Sequence, residues 1–219
     1  MTFPSQTIPL KYRGLKESIL VVSGICLFAL FIHKNTYIQF ISFAGLVFTS
    51  LVIMRSVYNF SSLLTLFGII PFSKKIISYT IAAILFGSLL GLVHNFFYDD
   101  TLLPSSLTKF ALIAPLIGIA EELVFRGYVQ TKTASLGAMF SIVFASFGHT
   151  IYKYFVLKTM PVDLGIIFPK LILLTFLFGI VLGILRLRSK NLFPALMAHA
   201  VFDIVVYGGA TVAPVWVWG

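Results

Sequence analysis

Long, nearly unbroken apolar runs make up most of this chain, and short polar gaps separate them. A helix that crosses a bilayer needs about 20 mostly apolar residues. By that measure the spans fall at 18–32, 37–54, 76–97, 107–125, 136–152, 164–185 and 192–207. The stretch 57–72 is shorter, contains Asn59 and ends at Pro71, so it reads as an interfacial helix, a re-entrant segment or an eighth span. The runs lack the period-two alternation of a transmembrane barrel. The pattern therefore predicts an all-α fold, a polytopic transmembrane helical bundle of seven or eight spans.

Composition agrees, since 59% of the residues are hydrophobic, well above a soluble domain. The net charge of +9 does not point to nucleic acid, because the basic residues sit in the gaps between spans. There they decide topology, cytoplasmic loops being rich in Lys and Arg. With seven spans, Lys11, Arg13, Lys16, Arg55, Lys74, Lys75, Lys132, Arg186, Arg188 and Lys190 share one side. The other side carries Lys34, Asp99, Asp100, Lys153, Lys158 and Asp163. This asymmetry predicts a cytoplasmic N-terminus and argues against 57–72 as a full span. The first run has no small-residue cleavage site after it and reads as a retained span, not a signal peptide. Cys26 is the only cysteine, which excludes an intrachain disulfide and a cysteine metal cluster. Gly87/Gly91 and Gly179/Gly183 are spaced for close helix approach, read here as packing within the chain.

Against this apolar background, a few titratable residues lie inside spans. Such residues are costly in lipid and are usually paired or functional. Glu121, Glu122 and Arg126 occur in one span. Glu122 and Arg126 are four apart on one helical face, and the arginine fork suits a carboxylate bidentately. Glu121 is turned about 100° away and has no cation nearby in sequence, which suits a general base or acid. A buried ion-pair cluster that only fixes packing is the competing reading. His149 lies in the next span, with room around it from Ala145, Ser146 and Gly148. It reads as an interhelical hydrogen-bonder or as a catalyst. His199 and Asp203 share a face of the last span. They suit a metal ligand with its orienting carboxylate, a pair aimed at an oxyanion, or a self-satisfied buried pair. His33 and His94 lie near span ends and read as structural. Counted along their helices, Glu121, His149 and His199 all lie deep in the membrane, where they can meet in a cavity open to the cytoplasm or the bilayer.

The order Glu-Glu-x-x-x-Arg, then His, then His-x-x-x-Asp, each on its own span, resembles the CPBP family. That family includes the CAAX prenyl endopeptidases of the Ras-converting type and bacterial Abi and bacteriocin-immunity proteins. The matching residues are Glu121–Tyr128, His149 and Pro194–Asp203, so the resemblance covers about half of the chain. Two departures stand out. The family's Phe-x-x-x-His has Ala145 in place of the aromatic here, with Phe144 one earlier and Phe147 as a substitute filler. Asp203 stands where many members carry Asn.

The resemblance implies N-terminal membrane spans over 1–106 and a catalytic core over 107–207, in one integrated membrane domain. It also implies an intramembrane endopeptidase acting on a membrane-associated or lipidated peptide or protein. Glu121 and His149 would polarise the attacking water, His199 with Asp203 would stabilise the oxyanion, and Glu122 with Arg126 would hold the glutamate helix. No cofactor is needed for that chemistry. No His-Glu-x-x-His zinc motif is present, but a zinc held by Glu121, His149 and His199 would also make an ordinary catalytic set. A bacterial plasma membrane is the expected setting, with membrane lipids and a peptide substrate as partners and no nucleic acid. The alternative to an enzyme is a bacteriocin self-immunity or scaffold protein that keeps the polar cluster for folding or binding.

Overall fold

The computed structural model describes residues 10–34, 36–68, 73–98, 101–160, 165 and 167–211, with the side chains of Leu10, Lys11, Thr36, Leu66 and Ile167 left undescribed. Pro71, Asp99, Asp100, Asp163 and residues 164 and 166 of the expected 164–185 span lie outside the described residues. Within them the chain is helical, with no strand. In hydrocarbon every backbone polar group needs an internal partner, and a continuous helix provides it.

The elements are α1 (Leu10–Phe31), α2 (Thr36–Met54), α3 (Phe60–Phe67), α4 (Lys74–Tyr98), α5 (Phe110–Glu122), α6 (Gln130–Thr133), α7 (Ala138–Thr159), α8 (Ile167–Ser189) and α9 (Phe193–Tyr207). A π-helical turn, Leu123–Val129, joins α5 to α6 without a break. Five helices (α1, α2, α4, α7 and α8) are long and apolar enough to cross a bilayer. The rod from Phe110 to Thr133 adds a sixth crossing, about 36 Å long at 1.5 Å per residue. The 15-residue α9 is the seventh and the shortest. It packs against α4, α5 and α8, so protein surrounds much of it.

The ambiguous stretch resolves into α3, eight residues long and far too short to span. Its limits are local. Asn59 caps the N-terminus in a capping box with Ser62, and Gly68 ends the helix in the left-handed region at φ 63°.

Large apolar side chains point outward around the bundle, among them Phe40, Leu51, Leu85, Leu89, Leu116 and Leu177. Polar residues gather inside. The glycine pair on α4 serves packing within the chain. A Cβ at Gly87 would press into the Ala198 backbone, and one at Gly91 would lie 2.8 Å from Val205. Their lack of side chains lets α9 lie against α4.

The two ends of the bundle differ. Arg13, Lys16, Arg55, Lys74, Lys75, Lys132, Arg186 and Arg188 lie where α1 and α4 begin and α8 ends. Lys34, Lys109, Lys158 and Lys170 lie toward the other end. Single cysteines at the exposed positions Lys74 and Lys158, introduced without Cys26, should react with an impermeant maleimide from opposite faces of sealed vesicles. Labelling of both from the same face would contradict this arrangement.

Candidate active site

Three elements bring the titratable residues together. The α5 rod carries Glu121 and Glu122 in its last α-helical turn and Arg126 in the π-helical turn. There the Gln130 N–H bonds to the Phe125 carbonyl, five residues back. Such π-helical insertions are frequent at functional sites. α7 carries His149 and α9 carries His199 and Asp203. All six side chains are buried, with Glu122 and Arg126 fully so.

The contacts form one continuous chain. Arg126 Nη1 donates to Glu122 Oε1 at 2.8 Å and to His149 Nδ1 at 2.9 Å. His149 Nε2 lies 3.0 Å from Glu121 Oε2. An arginine has no acceptor, so His149 Nδ1 must accept, and its Nε2–H donates to Glu121. On the other side, His199 Nδ1 donates to Glu122 Oε1 at 2.9 Å. His199 Nε2 then faces Asp203 Oδ2 across 3.9 Å, beyond hydrogen-bond reach.

Several expectations change in detail. Glu121 has no cation nearby in sequence but gains one through tertiary contact: Lys153 Nζ lies 2.6 Å from its Oε1. Lys153 follows His149 by four residues and shares its face of α7, a spacing that sequence reasoning assigned to a loop charge. The Arg126–Glu122 contact is not bidentate, because Nη1 is shared with His149. Glu122, not Asp203, orients His199. Phe147 points outward and fills no space beside His149. That place belongs to Phe125, whose ring stacks on His149 at 4.7 Å and 26°. Phe178 packs edge-on against His199 at 5.4 Å. Gly118 makes room for the last pair, since a Cβ there would run into Asp203 Oδ2 and lie 3.0 Å from His199 Cδ2. His33 lies just beyond α1, away from this cluster. His94 is a wall residue of the adjoining cavity, bonded through Nδ1 to Asn95 at 3.3 Å.

That cavity has a volume of about 700 Å³. Glu121, His149, His199 and Asp203 form its polar floor. Its walls are apolar side chains such as Phe86, Leu90, Leu174 and Phe178. Several lining residues, including Phe97, Leu173 and Leu177, are also exposed on the outer surface of α4 and α8, so the cavity opens sideways between these helices. It extends from the cluster toward the end of the bundle away from the start of α1, where α4, α7 and α9 finish. Of the two expected openings, to the cytoplasm or to the bilayer, the sideways opening matches the bilayer.

The residues do not fit a zinc ion in this arrangement. Both ring nitrogens of His149 are engaged, Nδ1 by a guanidinium and Nε2 by Glu121. His199 has only Nε2 left. Among the described residues no group of three His, Cys, Asp or Glu side chains is placed to hold a metal.

Comparison with known proteins bears on the same stretch. Residues 103–205 match the family described as type II CAAX prenyl endopeptidase Rce1-like. No curated protein and no solved structure matches the chain. The matched segment supplies Glu121, Glu122, Arg126, His149, Lys153, His199 and Asp203, and over residues 103–205 the chain carries an Rce1-like type II CAAX prenyl endopeptidase domain.

Proposed function

We infer that the chain hydrolyses a peptide bond in a membrane-associated or lipidated peptide, with a water activated by Glu121. The observation that carries this reading is a carboxylate held by a histidine at the floor of a large apolar cavity, with a second histidine beside it. His149 fixes Glu121 through Oε2. A water between Glu121 and the scissile carbonyl gives its proton to the carboxylate as its oxygen attacks the carbonyl carbon. His199, fixed through Nδ1–H by Glu122, acts as the imidazolium, whose Nε2–H donates to the developing oxyanion. Asp203 stands beside Nε2 and supports that position, as a protonated donor or as a counter-charge. When the tetrahedral intermediate collapses, Glu121 passes its proton to the leaving amine. Nothing in this sequence of steps calls for a Lewis acid.

The apolar walls and the side opening suit a substrate that arrives along the bilayer. The basic end of the bundle favours a cytoplasmic N-terminus, and the cavity then opens to the opposite half of the membrane. An immunity or scaffold role is the competing account, because every charge in the chain of contacts has a partner, as a packing cluster requires.

Substitution separates the two glutamates. Glu121→Gln keeps an acceptor for His149 and should leave the fold intact while cleavage falls by about 10²–10⁴-fold, the usual worth of a general base. Glu122→Ala leaves Arg126 buried and unpaired and should cost about 3–5 kcal/mol of stability. Thermal unfolding and cleavage of a membrane-peptide library would check both. A fully active Glu121→Gln protein would mean that the cluster is architecture.

A second prediction concerns metal. The purified chain should keep its activity after exhaustive chelation. Loss of turnover on chelation, with recovery on adding zinc, would replace the carboxylate mechanism by a Lewis-acid one.

A further inference from the structure

Several buried polar atoms beside the glutamate cluster have no hydrogen-bond partner among the described residues. Arg126 uses only Nη1, which leaves Nε and Nη2. Glu122 Oε2, Ser146 Oγ and Gln130 Oε1 are in the same position. All four residues are buried, and none of them lines the apolar cavity. Buried polar groups are paired as a rule, and lipid offers them no partner.

Ser146 departs from the habit of the helical hydroxyls here. Ser18, Thr80, Thr133, Thr150 and Thr175 each donate to the carbonyl four residues back. Ser146 does not, and its hydroxyl faces α8. A Cβ at Gly179 would lie 3.1 Å from Ser146 Oγ and 2.7 Å from Arg126 Nη2, so one small bridging molecule spans the two atoms. One turn along α8, a Cβ at Gly183 would lie 3.5 Å from Gln130 Oε1 and 2.9 Å from Ile142. Gln130 Nε2 donates to the Gly183 carbonyl at 3.0 Å, which leaves Oε1 as the unpaired acceptor. The glycine pair of α8 therefore covers a row of polar atoms on the rod and α7.

Toward the basic end of the bundle the row continues. Arg186 Nη2 donates to Thr131 Oγ1 at 2.6 Å, and Arg186 Nε is buried without a partner among the described residues. Thr131 lines an open polar depression of about 510 Å³ together with Ser56, Asn59, Ser61 and Lys132.

We propose that a short file of internal waters runs beneath Gly183 and Gly179, from this depression to Arg126, where it bridges Nη2 to Ser146 Oγ. The partners select the ligand. An anion would face the Glu122 carboxylate and the Gln130 carbonyl, and a cation would face two guanidinium groups. Water donates and accepts, so it satisfies donors and acceptors alike. Its small size suits a seam with Ile142 beside it. The file completes the shell of the arginine whose Nη1 holds His149. It depends on the fold and not on the peptidase reading.

The test is water-edited solid-state NMR on the full chain, uniformly carbon-13 and nitrogen-15 labelled, in liposomes. Magnetisation passed from water to Arg126 Cζ should build up within about two-fold of the rate at the exposed Arg13 and Arg55, as for a group in direct contact with water. It should be several-fold faster than at the fully buried Val21. Gln130→Met removes the acceptor beneath Gly183, and Gly183→Ala narrows the seam there. Each interrupts the file by itself and should slow the build-up at Arg126 by about three-fold or more, so one folded variant is enough. Build-up at Arg126 as slow as at Val21 in the unaltered protein overturns the inference, and that measurement needs no variant. Build-up in a folded variant as fast as in the unaltered protein overturns it too, because water then reaches Arg126 from the cavity side.

Discussion

A fully buried arginine sets the main constraint on this bundle. Arg126 sits on a helix that crosses the membrane and has no exposed surface. A cation there costs several kcal/mol or more unless it is paired. Glu122, on its own helix, offsets the charge, but one hydrogen bond leaves donors unused. The same Nη1 therefore reaches across to His149 on α7, and Glu122 reaches across to His199 on α9. Three helices that share no covalent geometry are thus tied at one depth. The tie is directional, because each link has a donor that cannot accept or a carboxylate that only accepts. Glycines at 87 and 118 let α9 come close enough to complete it.

The same contacts suit the chemistry proposed for the site. The arginine fixes the tautomer of His149, so that the ring presents N–H to Glu121 and cannot itself take a proton at the guarded nitrogen. In the proposed mechanism, proton transfer is thereby left to the carboxylate. Glu122 orients His199 in the same way and leaves Nε2 for the cavity. The glutamate pair is divided by its partners: Glu122 is enclosed within the protein, and Glu121 faces the cavity. In a water-poor, low-dielectric chamber, groups positioned in advance act on developing charge more strongly than they would in solvent.

Much of this was legible in the sequence, for physical reasons. Unbroken apolar runs permit little other than helices in lipid, so the all-α bundle and the seven crossings followed from hydropathy. Ionisable residues inside such runs are rare enough that Glu121, Glu122, Arg126, His149, His199 and Asp203 could be singled out, and the structure brings all six together. What was not legible depends on tertiary contact or on backbone detail. The π-helical turn leaves no trace in composition. The links from Arg126 to His149 and from Glu122 to His199 join residues 23 and 77 positions apart. Phe125 takes the place beside His149 because of how the rod is rotated, and no spacing rule pointed to it over Phe147. Lys153 did carry a signal, the four-residue interval from His149, but its position near a span end made it look like a topology charge. The limits of α3 turned on a capping box and one left-handed glycine, which window hydropathy does not see.

The account depends most directly on the state of His149. Nitrogen-15 shifts of histidine-labelled full-length protein in nanodiscs, with His149 assigned by a His149→Gln variant, report which ring nitrogen carries the proton. The account predicts a neutral ring with Nε2 protonated and Nδ1 bare, accepting from Arg126. A proton on Nδ1 would mean that the arginine does not hold this ring, and that Glu121 is not positioned as the base in the way described.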